Sequence, residues 1–270
     1  MAATDLCSLP DVKSWLNIAA ATSDAQLNTL ITAASRAILG YINRPFILPT
    51  QQTERRNGTG GRSFMLSDWP VQSVASLYVN GVLIAPIAGL PPFGDGYLID
   101  TALPMPPGEM QLLTLTQRLF SRCIQNVQVT YTAGYQVTAE PAVIPTTPFQ
   151  ITAQAPYGSW GSDQGVTFAN GTALVAVATA PAAGQYSIAA GLYQFAAADA
   201  GKAVLISYGY VPADLRQACI ETVGERFRAK DRIGIQSKTL ASQETITYSA
   251  KDLSAPIKMM LSYYARVVKP

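Results

Sequence analysis

The chain contains no histidine among its 270 residues. That absence excludes Ser–His and Cys–His nucleophile pairs, imidazole metal ligands and histidine pH switches. Charged side chains are also scarce, at 13% of the residues, which is about half the usual share. Low charge favours a surface that is partly covered by partners. The net charge of +2 gives no overall field that would recruit nucleic acid or membrane.

Cysteine is rare, with three residues at Cys7, Cys123 and Cys219. They are odd in number and far apart, and they form neither a CxxC pair nor a zinc-ligand spacing. Cys219 lies on the apolar face of a predicted helix, so we expect it to be a small core residue. This usage fits synthesis in a reducing cytosol.

Long hydrophobic runs are missing as well. No stretch approaches the roughly 18 apolar residues of a membrane-spanning helix. The first ten residues have no basic start and no apolar segment, so no signal peptide is expected. We therefore expect no membrane partner.

Two helices are predicted at the start of the chain. Ser8 is a suitable cap for the first, which ends near Asn17. The second runs from Ser23 or Asp24 to about Tyr41, with apolar residues at helical spacing. The apolar face of the first helix is expected to comprise Val12, Trp15 and Leu16.

Five or six short strands, mostly antiparallel, are predicted between Thr50 and Tyr131, with a hairpin turn at Asn80-Gly81. The segment Asn57–Arg62 is expected to be a mobile hairpin tip. It lacks the Gly-Lys-Ser/Thr ending and the strand-to-helix context of a phosphate-binding loop. The candidates for a basic contact at this tip are Arg55, Arg56 and Arg62.

The composition changes between Gln136 and Gly201, where three acidic residues and no basic residue occur. Alternating short strands, with a turn about every 8–12 residues, predict a small sandwich or barrel. The side chains expected to face its core are Tyr186, Ile188, Tyr193, Phe195, Val204, Ile206 and Tyr208.

Two more helices are predicted towards the C-terminal end. One begins at Ala213, and the other begins at Pro256 with an apolar stripe that continues to Val268. Between them, Gly234–Tyr248 is polar and weakly alternating, which predicts a loop or an extended arm.

Residue patterns for catalysis are weak throughout. No Gly-x-Ser-x-Gly elbow occurs. Asp95 and Asp100 flank a strand but lack a third carboxylate for calcium. Paired carboxylates for glycoside chemistry are not excluded by spacing, but acidic residues are few. We therefore expect no enzyme activity, no metal and no cofactor, and we favour an interaction or structural role.

A set of short motifs, taken in order, adds a resemblance. The motifs are Leu9–Leu16, Asp24–Tyr41, Asn43–Phe46, Asp68–Gly81, Val127–Tyr135, Val211–Ala218 and Tyr263–Arg266. Their order and spacing resemble those of the head–tail connector proteins of tailed bacteriophages and prophages, which are also called head completion or adaptor proteins. The resemblance covers roughly Leu6–Tyr135 and Tyr210–Arg266.

This chain departs from the family pattern at one place. In the family, Ala-Gly-Tyr leads almost directly to Val-Pro-x-Asp-Leu, whereas here a long segment separates the two motifs. The strand ending of Val127–Tyr131 also recurs at Ala203–Tyr208. We therefore predict an α+β fold with a discontinuous connector core, residues 1–135 plus 210–270. A small all-β sandwich or barrel, residues 136–209, interrupts that core.

The resemblance implies a ring, often of about twelve copies, that docks beneath the portal protein and presents a surface to the tail stopper or completion protein. The ring would continue the channel for the genome, with weak, sequence-independent DNA contacts. It implies assembly in the host cytoplasm and a place at the head–tail junction of the virion. Candidate channel or portal contacts on the arm are Arg232, Gln236, Lys238, Gln243 and Tyr248.

Alternative interpretations stay open. The arm can instead be a solvated loop. The whole chain can be another phage tail or virion decoration protein. The inserted segment can be a carbohydrate-binding module that uses Trp160, Tyr186 and Tyr193, although aromatic residues on such a module are more often core.

Overall fold

The computed structural model describes residues 4–87, 94–103, 105–229, 237–239, 245–247 and 253–266. The chain is a mixed α+β protein with two compact units. The helical unit comprises Met1–Pro45 and Pro212–Pro270, and the β unit comprises Phe46–Val211. The boundaries of these two units differ from those of the predicted core and insertion. The insertion of residues 136–209 stays a prediction.

The helical unit contains the helices α1 Leu9–Leu16, α2 Asp24–Tyr41, α3 Ala213–Ala229 and α4 Ala255–Ser262. The start of α1 is fixed by a capping box. The Asp11 N–H donates to Ser8 Oγ, and the Ser8 N–H donates to the Asp11 carboxylate. Asn17 ends α1 in the left-handed conformation, with φ of 56°. The predicted ends of α1 and α2 are therefore confirmed.

Helix α3 packs against α1, α2 and α4, so helices from both ends of the sequence share one core. The Arg216 Nε–H donates to Asp11 Oδ2 over 3.0 Å, which ties α3 to α1. The buried apolar residues of this core include Val12, Leu27, Ile31, Ala34, Ile38, Leu215, Ala218, Val223, Ile257 and Leu261.

Trp15 is the exception to the predicted helix faces, because 54% of it is exposed. Val12 is buried and Leu16 half-buried, whereas Trp15 lies at the edge of the α1–α3 contact beside Gly224. Placing Trp15 on the buried face is wrong. An eight-residue helix buries a stripe too narrow for all three side chains.

The predicted arm is partly described. Ser237–Thr239 (β15) pairs antiparallel with Thr245–Thr247 (β16), so these residues form a two-stranded sheet. Helix α4 buries Ile257, Leu261 and the following Tyr264 as predicted. The remainder of its predicted stripe, Val267 and Val268, lies outside the described residues.

The strands described before α3 are, in chain order, β1 Thr50–Gly58, β2 Ser63–Met65, β3 Val71–Val79, β4 Val82–Ile84, β5 Tyr97–Ile99, β6 Leu112–Leu115, β7 Cys123–Ala133, β8 Gln136–Val143, β9 Gln150–Thr152, β10 Gly158–Phe168, β11 Val175–Ala176, β12 Gln185–Ala189, β13 Leu192–Phe195 and β14 Ala203–Pro212. The pairs β1–β7, β3–β7, β3–β4, β2–β6, β5–β6, β8–β14, β9–β13 and β12–β13 are antiparallel, whereas β11 and β12 pair in parallel.

Two sheets enclose the first hydrophobic cluster of the β unit. Their strand orders are β1-β7-β3-β4 and β2-β6-β5. Leu77, Val129 and Tyr131 contribute from the first sheet, and Leu113 and Leu115 from the second. The predicted turn between β3 and β4 is confirmed, because Asn80 and Gly81 both have positive φ, 52° and 77°.

Two further sheets, β10-β14-β8 and β11-β12-β13-β9, share a second and separate cluster. This arrangement has the two-layer form of a sandwich, as predicted for this segment. The predicted inward side chains are buried, except that Ile188 packs against the cluster and stays partly exposed.

The chain enters and leaves the second sandwich at the same place. Entry strand β8 pairs with exit strand β14, with Gln136 opposite Gly209. The Tyr210 N–H donates to the Tyr135 carbonyl oxygen over 3.1 Å, and their rings lie 5.8 Å apart. The two ends of the predicted insertion are therefore neighbours.

Two glycines at this place pack against the segment Leu48–Pro49. A Cβ on Gly134 would lie 2.5 Å from the Leu48 carbonyl carbon, and Gly134 has φ of 137°. A Cβ on Gly209 would lie 2.5 Å from Pro49 Cδ and from Ser162 Oγ. We call Leu48–Pro49, Gly134–Tyr135 and Gly209–Tyr210 the seam.

The recurring strand endings also have the same structure. Tyr131 and Tyr208 each bury a ring completely, Tyr131 in the first cluster and Tyr208 in the second. Each hydroxyl donates to a carboxylate, from Tyr131 to Glu54 over 3.0 Å and from Tyr208 to Glu140. In both sandwiches this tyrosine hydroxyl is hydrogen-bonded, which avoids the cost of an unpaired polar group.

The seam predicts the effect of a Gly134→Ala substitution. We expect it to reduce the free energy of unfolding by about 2–4 kcal/mol, because alanine adds backbone strain and a clash with Leu48. The matched control is Gly40→Ala, on an exposed part of α2 with open space around the glycine. That change should stabilise the protein by about 0.5–1 kcal/mol. Chemical denaturation of both variants provides the measurement, and equal stability of Gly134→Ala and the unmodified protein would contradict the seam.

Candidate interaction site

Three loops meet at one end of the first sheet of the β unit. They are Asn57–Arg62, Asn80–Gly81 and Leu119–Asn126, and we call them the loop cluster. The first of them is not a hairpin tip, because β1 pairs with β7 whereas β2 pairs with β6. It crosses from one sheet to the other, which corrects the prediction from sequence.

Hydrogen bonds tie the first loop to the third. The Gly58 N–H donates to Asn126 Oδ1 over 2.8 Å, and the Gly60 N–H donates to the Phe120 carbonyl oxygen over 2.7 Å. Phe120 is buried in the first cluster, and its own N–H donates to Gly61 over 2.9 Å. The expected mobile tip is thus a loop held at both sides.

The hairpin turn joins the same network through two asparagines. Asn80 Nδ2 donates to Ser121 Oγ over 2.6 Å, and Asn126 Nδ2 donates to Asn80 Oδ1 over 2.8 Å. Asn126 Nδ2 also donates to the Ser121 carbonyl oxygen over 2.9 Å. Side-chain hydrogen bonds therefore fix all three loops relative to one another.

Arg55 lies on the open face of the first sheet. It is exposed, and its Nε–H donates to Gln128 Oε1 over 3.1 Å. Both residues line a shallow depression of about 480 Å³, which is also bordered by Tyr78 and by the Asn80-Gly81 turn. The Arg55 guanidinium can donate hydrogen bonds to an anionic or polar group of a partner that occupies this depression.

Arg56 points the other way and is not a surface contact. Its guanidinium forms an ion pair with Glu54, donates to Ser67 Oγ and lies 5.5 Å from the centre of the Phe64 ring. Both charged side chains are mostly buried. The structure therefore separates Arg56 from the other two predicted arginines.

Arg62 is exposed, and its Nη1 donates to the Thr116 carbonyl oxygen over 3.1 Å. Sequence reasoning missed Arg122, which is also exposed and donates through Nε to the Thr59 carbonyl oxygen over 3.2 Å. Arg122 belongs to the same loop cluster only because the fold brings the third loop against the first. No local sequence signal connects residues so far apart.

Exposed apolar side chains accompany these arginines. The loop cluster and adjoining β4 expose Val82, Leu83, Leu119 and Ile124, by 48, 58, 52 and 82% respectively. Single exposed apolar residues are common, but several at one end of a sheet are typical of a contact surface.

The predicted contacts on the arm lie mostly outside the described residues. Arg232, Gln236, Gln243 and Tyr248 are outside the described residues. For Lys238 the structure describes the backbone, in β15, and not the side chain. The predicted role of the arm stays a prediction.

The aromatic residues considered for sugar binding make hydrogen bonds within the second sandwich. Tyr186 and Tyr193 are buried in the second cluster, and both hydroxyls donate to Asp163, over 2.5 and 3.2 Å. Trp160 Nε1 donates to the Tyr193 hydroxyl over 3.3 Å. The two tyrosine rings are core, so neither presents a face to a ligand.

The carboxylates considered for calcium have protein partners. Asp95 pairs with Arg118, and Asp100 accepts a hydrogen bond from the Leu112 N–H over 3.2 Å. Within the described ranges, no three acidic or cysteine side chains are grouped as metal ligands. Over the same ranges, no helix has both the length and the apolar character needed to span a membrane.

An ordered loop surface with exposed apolar and arginine side chains is typical of a protein that contacts other macromolecules. The sequence model of the family described as "Head completion protein" matches residues 5–146, which is more than half of the chain. The protein therefore belongs to the head completion protein family, and the resemblance noted from its motifs is confirmed.

The solved structures that resemble this chain include one entitled "Neck of empty GTA particle computed with C6 symmetry". The identity is 17%, the TM-score is 0.33, and the match covers 49% of this chain and 67% of that one. A likeness at this level supports no conclusion about function. No curated protein sequence matches this chain.

The Glu54 carboxylate beside the loop cluster yields a prediction with a defined pH dependence. Burial would raise its pKa, but hydrogen bonds from Ser67 and the charge of Arg56 outweigh burial and lower the pKa below its usual value of 4.5. The carboxylate thus contributes stability above about pH 4.5, and that contribution is lost as the pH falls through the lower folded-state pKa.

We expect Glu54→Gln to reduce the free energy of unfolding by about 1–3 kcal/mol at pH 7, because Arg56 loses its buried counter-charge. The difference from the unmodified protein should shrink near pH 3. Glu109→Gln, at an exposed carboxylate, is the control and should change stability little at either pH. Urea unfolding at both pH values tests this, and a pH-independent difference would argue against it.

Proposed function

We propose that this protein is a structural subunit of the connector between the head and tail of a phage particle. Its role is to form a ring of identical copies that binds the portal protein on one side and a tail stopper or completion protein on the other. Membership of the head completion protein family carries this proposal. The proposed location is the head–tail junction of the virion, after assembly in the host cytoplasm.

The loop cluster supports the proposal as a contact surface. Its apolar side chains stand on a frame fixed by hydrogen bonds, so a partner that buries them does not also have to order the loops. We assign this surface to a neighbouring copy in the ring. The low charge of the chain suits interfaces that bury neutral surface.

We further propose that the ring continues the DNA channel, with no enzymatic step of its own. Arg232 and Lys238 of the arm would meet phosphates without reading sequence. Such contacts weaken with salt and let DNA slide. The arm as a solvated loop is the alternative for that segment.

The domain organisation is part of the same proposal. We propose that residues 1–135 plus 210–270 are the connector core and that residues 136–209 are an inserted sandwich. Two observations support it: the insertion has its own hydrophobic cluster, and its two ends are paired at Gln136 and Gly209. Insertions at such places are tolerated because few core contacts cross them.

A deletion tests the insertion. When residues 136–209 are replaced by an Asn-Gly turn, Tyr135 and Tyr210 can stay adjacent, and we expect a soluble chain with a cooperative unfolding transition and a retained helical circular dichroism signal. Residues 136–209 expressed alone should give a folded β protein. The insertion hypothesis is lost if both pieces are unfolded.

The ring is tested by Ile124→Ser, which removes the most exposed apolar side chain of the loop cluster. Since this side chain supports no core, we expect unchanged monomer stability and at least a tenfold weaker assembly, about 1.4 kcal/mol or more per contact. Val143→Ser, at another exposed strand position of the β unit, is the matched control and should assemble normally.

Analytical ultracentrifugation and negative-stain microscopy, each with and without portal particles, provide the readout. A protein that stays monomeric in the presence of portal particles contradicts the ring. Rings from which the portal is absent, together with binding to tail structures, would instead favour the alternative of another tail or virion decoration protein.

A further inference from the structure

Two of the three cysteines meet in the core of the helical unit. Cys7 precedes α1 and Cys219 lies within α3, 212 positions apart in sequence, and their Sγ atoms are 3.3 Å apart. Both residues are buried and neither forms a disulfide. The separation is that of close nonbonded contact, and side-chain rotation with a small shift of the segment before α1 would close it to a bond.

The hydrogen bonds around the pair give the two sulfurs different roles. The Cys7 S–H donates to Cys219 Sγ, and Ser35 Oγ lies 3.4 Å from the same sulfur. Ser35 Oγ accepts the Leu6 N–H over 2.9 Å, so its own hydrogen is available to Cys219. Cys219 thus accepts a hydrogen bond from Cys7 and is placed to accept a second from Ser35, as suits the sulfur that becomes a thiolate.

The electrostatic environment agrees with that assignment. The hydrogen bond from Cys7 lowers the pKa of Cys219 in spite of burial, and Ser35 adds to the effect. The same hydrogen bond, together with burial, raises the pKa of Cys7. Cys219 is therefore the sulfur that ionises more readily, and Cys7 is the thiol that reacts in the second step.

We propose that Cys7 and Cys219 are a peroxide-sensitive dithiol that closes to an intramolecular disulfide. The Cys219 thiolate attacks one oxygen of a hydroperoxide, which forms an S–O bond and releases hydroxide as the O–O bond breaks. The Cys7 sulfur then attacks Cys219, an S–S bond replaces the S–O bond, and water leaves. Two thiols and one hydrogen peroxide give one disulfide and two water molecules.

The small size of the oxidant matters because both sulfurs are buried. Hydrogen peroxide can reach them through a local opening of the short segment before α1, whereas a bulky disulfide reagent needs a larger one. The bond would join the N-terminal segment to α3 and so fasten together helices from the two ends of the chain. The dithiol would persist in a reducing cytosol and would close outside the cell.

The test uses the full-length Cys123→Ser protein, which removes the exposed third thiol from the β unit. After mild hydrogen peroxide treatment of the folded protein, we expect free thiols to fall from two to none and the intact mass to decrease by two hydrogens. Non-reducing tryptic mapping should find Met1–Lys13 linked to Gln217–Arg226, and reduction should separate the two peptides.

Two controls keep the test decisive. Cys7→Ser and Cys219→Ser in the same background should give no linked peptides. In the protein that retains Cys123, the same linked peptides should form, and oxidation of Cys123 should not affect the linkage. Retention of both thiols under conditions that oxidise the denatured chain would overturn the proposal. Oxygen addition to Cys219 without the linkage would overturn it equally.

Discussion

The β unit depends on how closely the chain can approach itself at the seam. Leu48–Pro49 packs against Gly134 and Gly209, where any side chain would collide with backbone or ring atoms 2.5 Å away. Gly134 lies between β7 and β8, and Gly209 lies within β14 opposite Gln136, so the entry and exit of the second sandwich meet there, next to the start of β1. The two sandwiches are joined at this one place because neither glycine leaves room for a Cβ atom. The same lack of room accounts for the glycine in both recurring strand endings.

Each sandwich combines an apolar core with buried tyrosines whose hydroxyls donate to a carboxylate, one in the first sandwich and three in the second. Glu54, Glu140 and Asp163 all serve this purpose. These three carboxylates are therefore paired within the sandwiches, where a lost partner leaves a polar group unsatisfied. Arg56 is likewise not a surface residue, because it forms a mostly buried ion pair with Glu54. The loop cluster presents arginine, amide and apolar side chains, which suits contact with other macromolecules in an assembly.

Sequence reasoning predicted the local elements well where their signals are local. The capping box at Ser8, the Asn80-Gly81 turn and the alternating core of the second sandwich depend on neighbours in the chain or on period-two burial. The candidate site was predicted only in part. Arg55 and Arg62 are exposed near the loop cluster, but Arg122 and Ile124 join it through contacts across more than sixty residues, which no local pattern encodes.

The sequence by itself determined the α+β class and the ends of α1 and α2, because these follow from residue periodicity and caps. The order of its short motifs indicated the family only through resemblance to known members. Tertiary structure decided three other matters. It paired β1 with β7 rather than β2, turned a predicted mobile tip into a fixed loop, and brought Cys7 to Cys219. Each of these results from packing between distant segments, where burial and steric fit choose among pairings that the sequence alone leaves equally open.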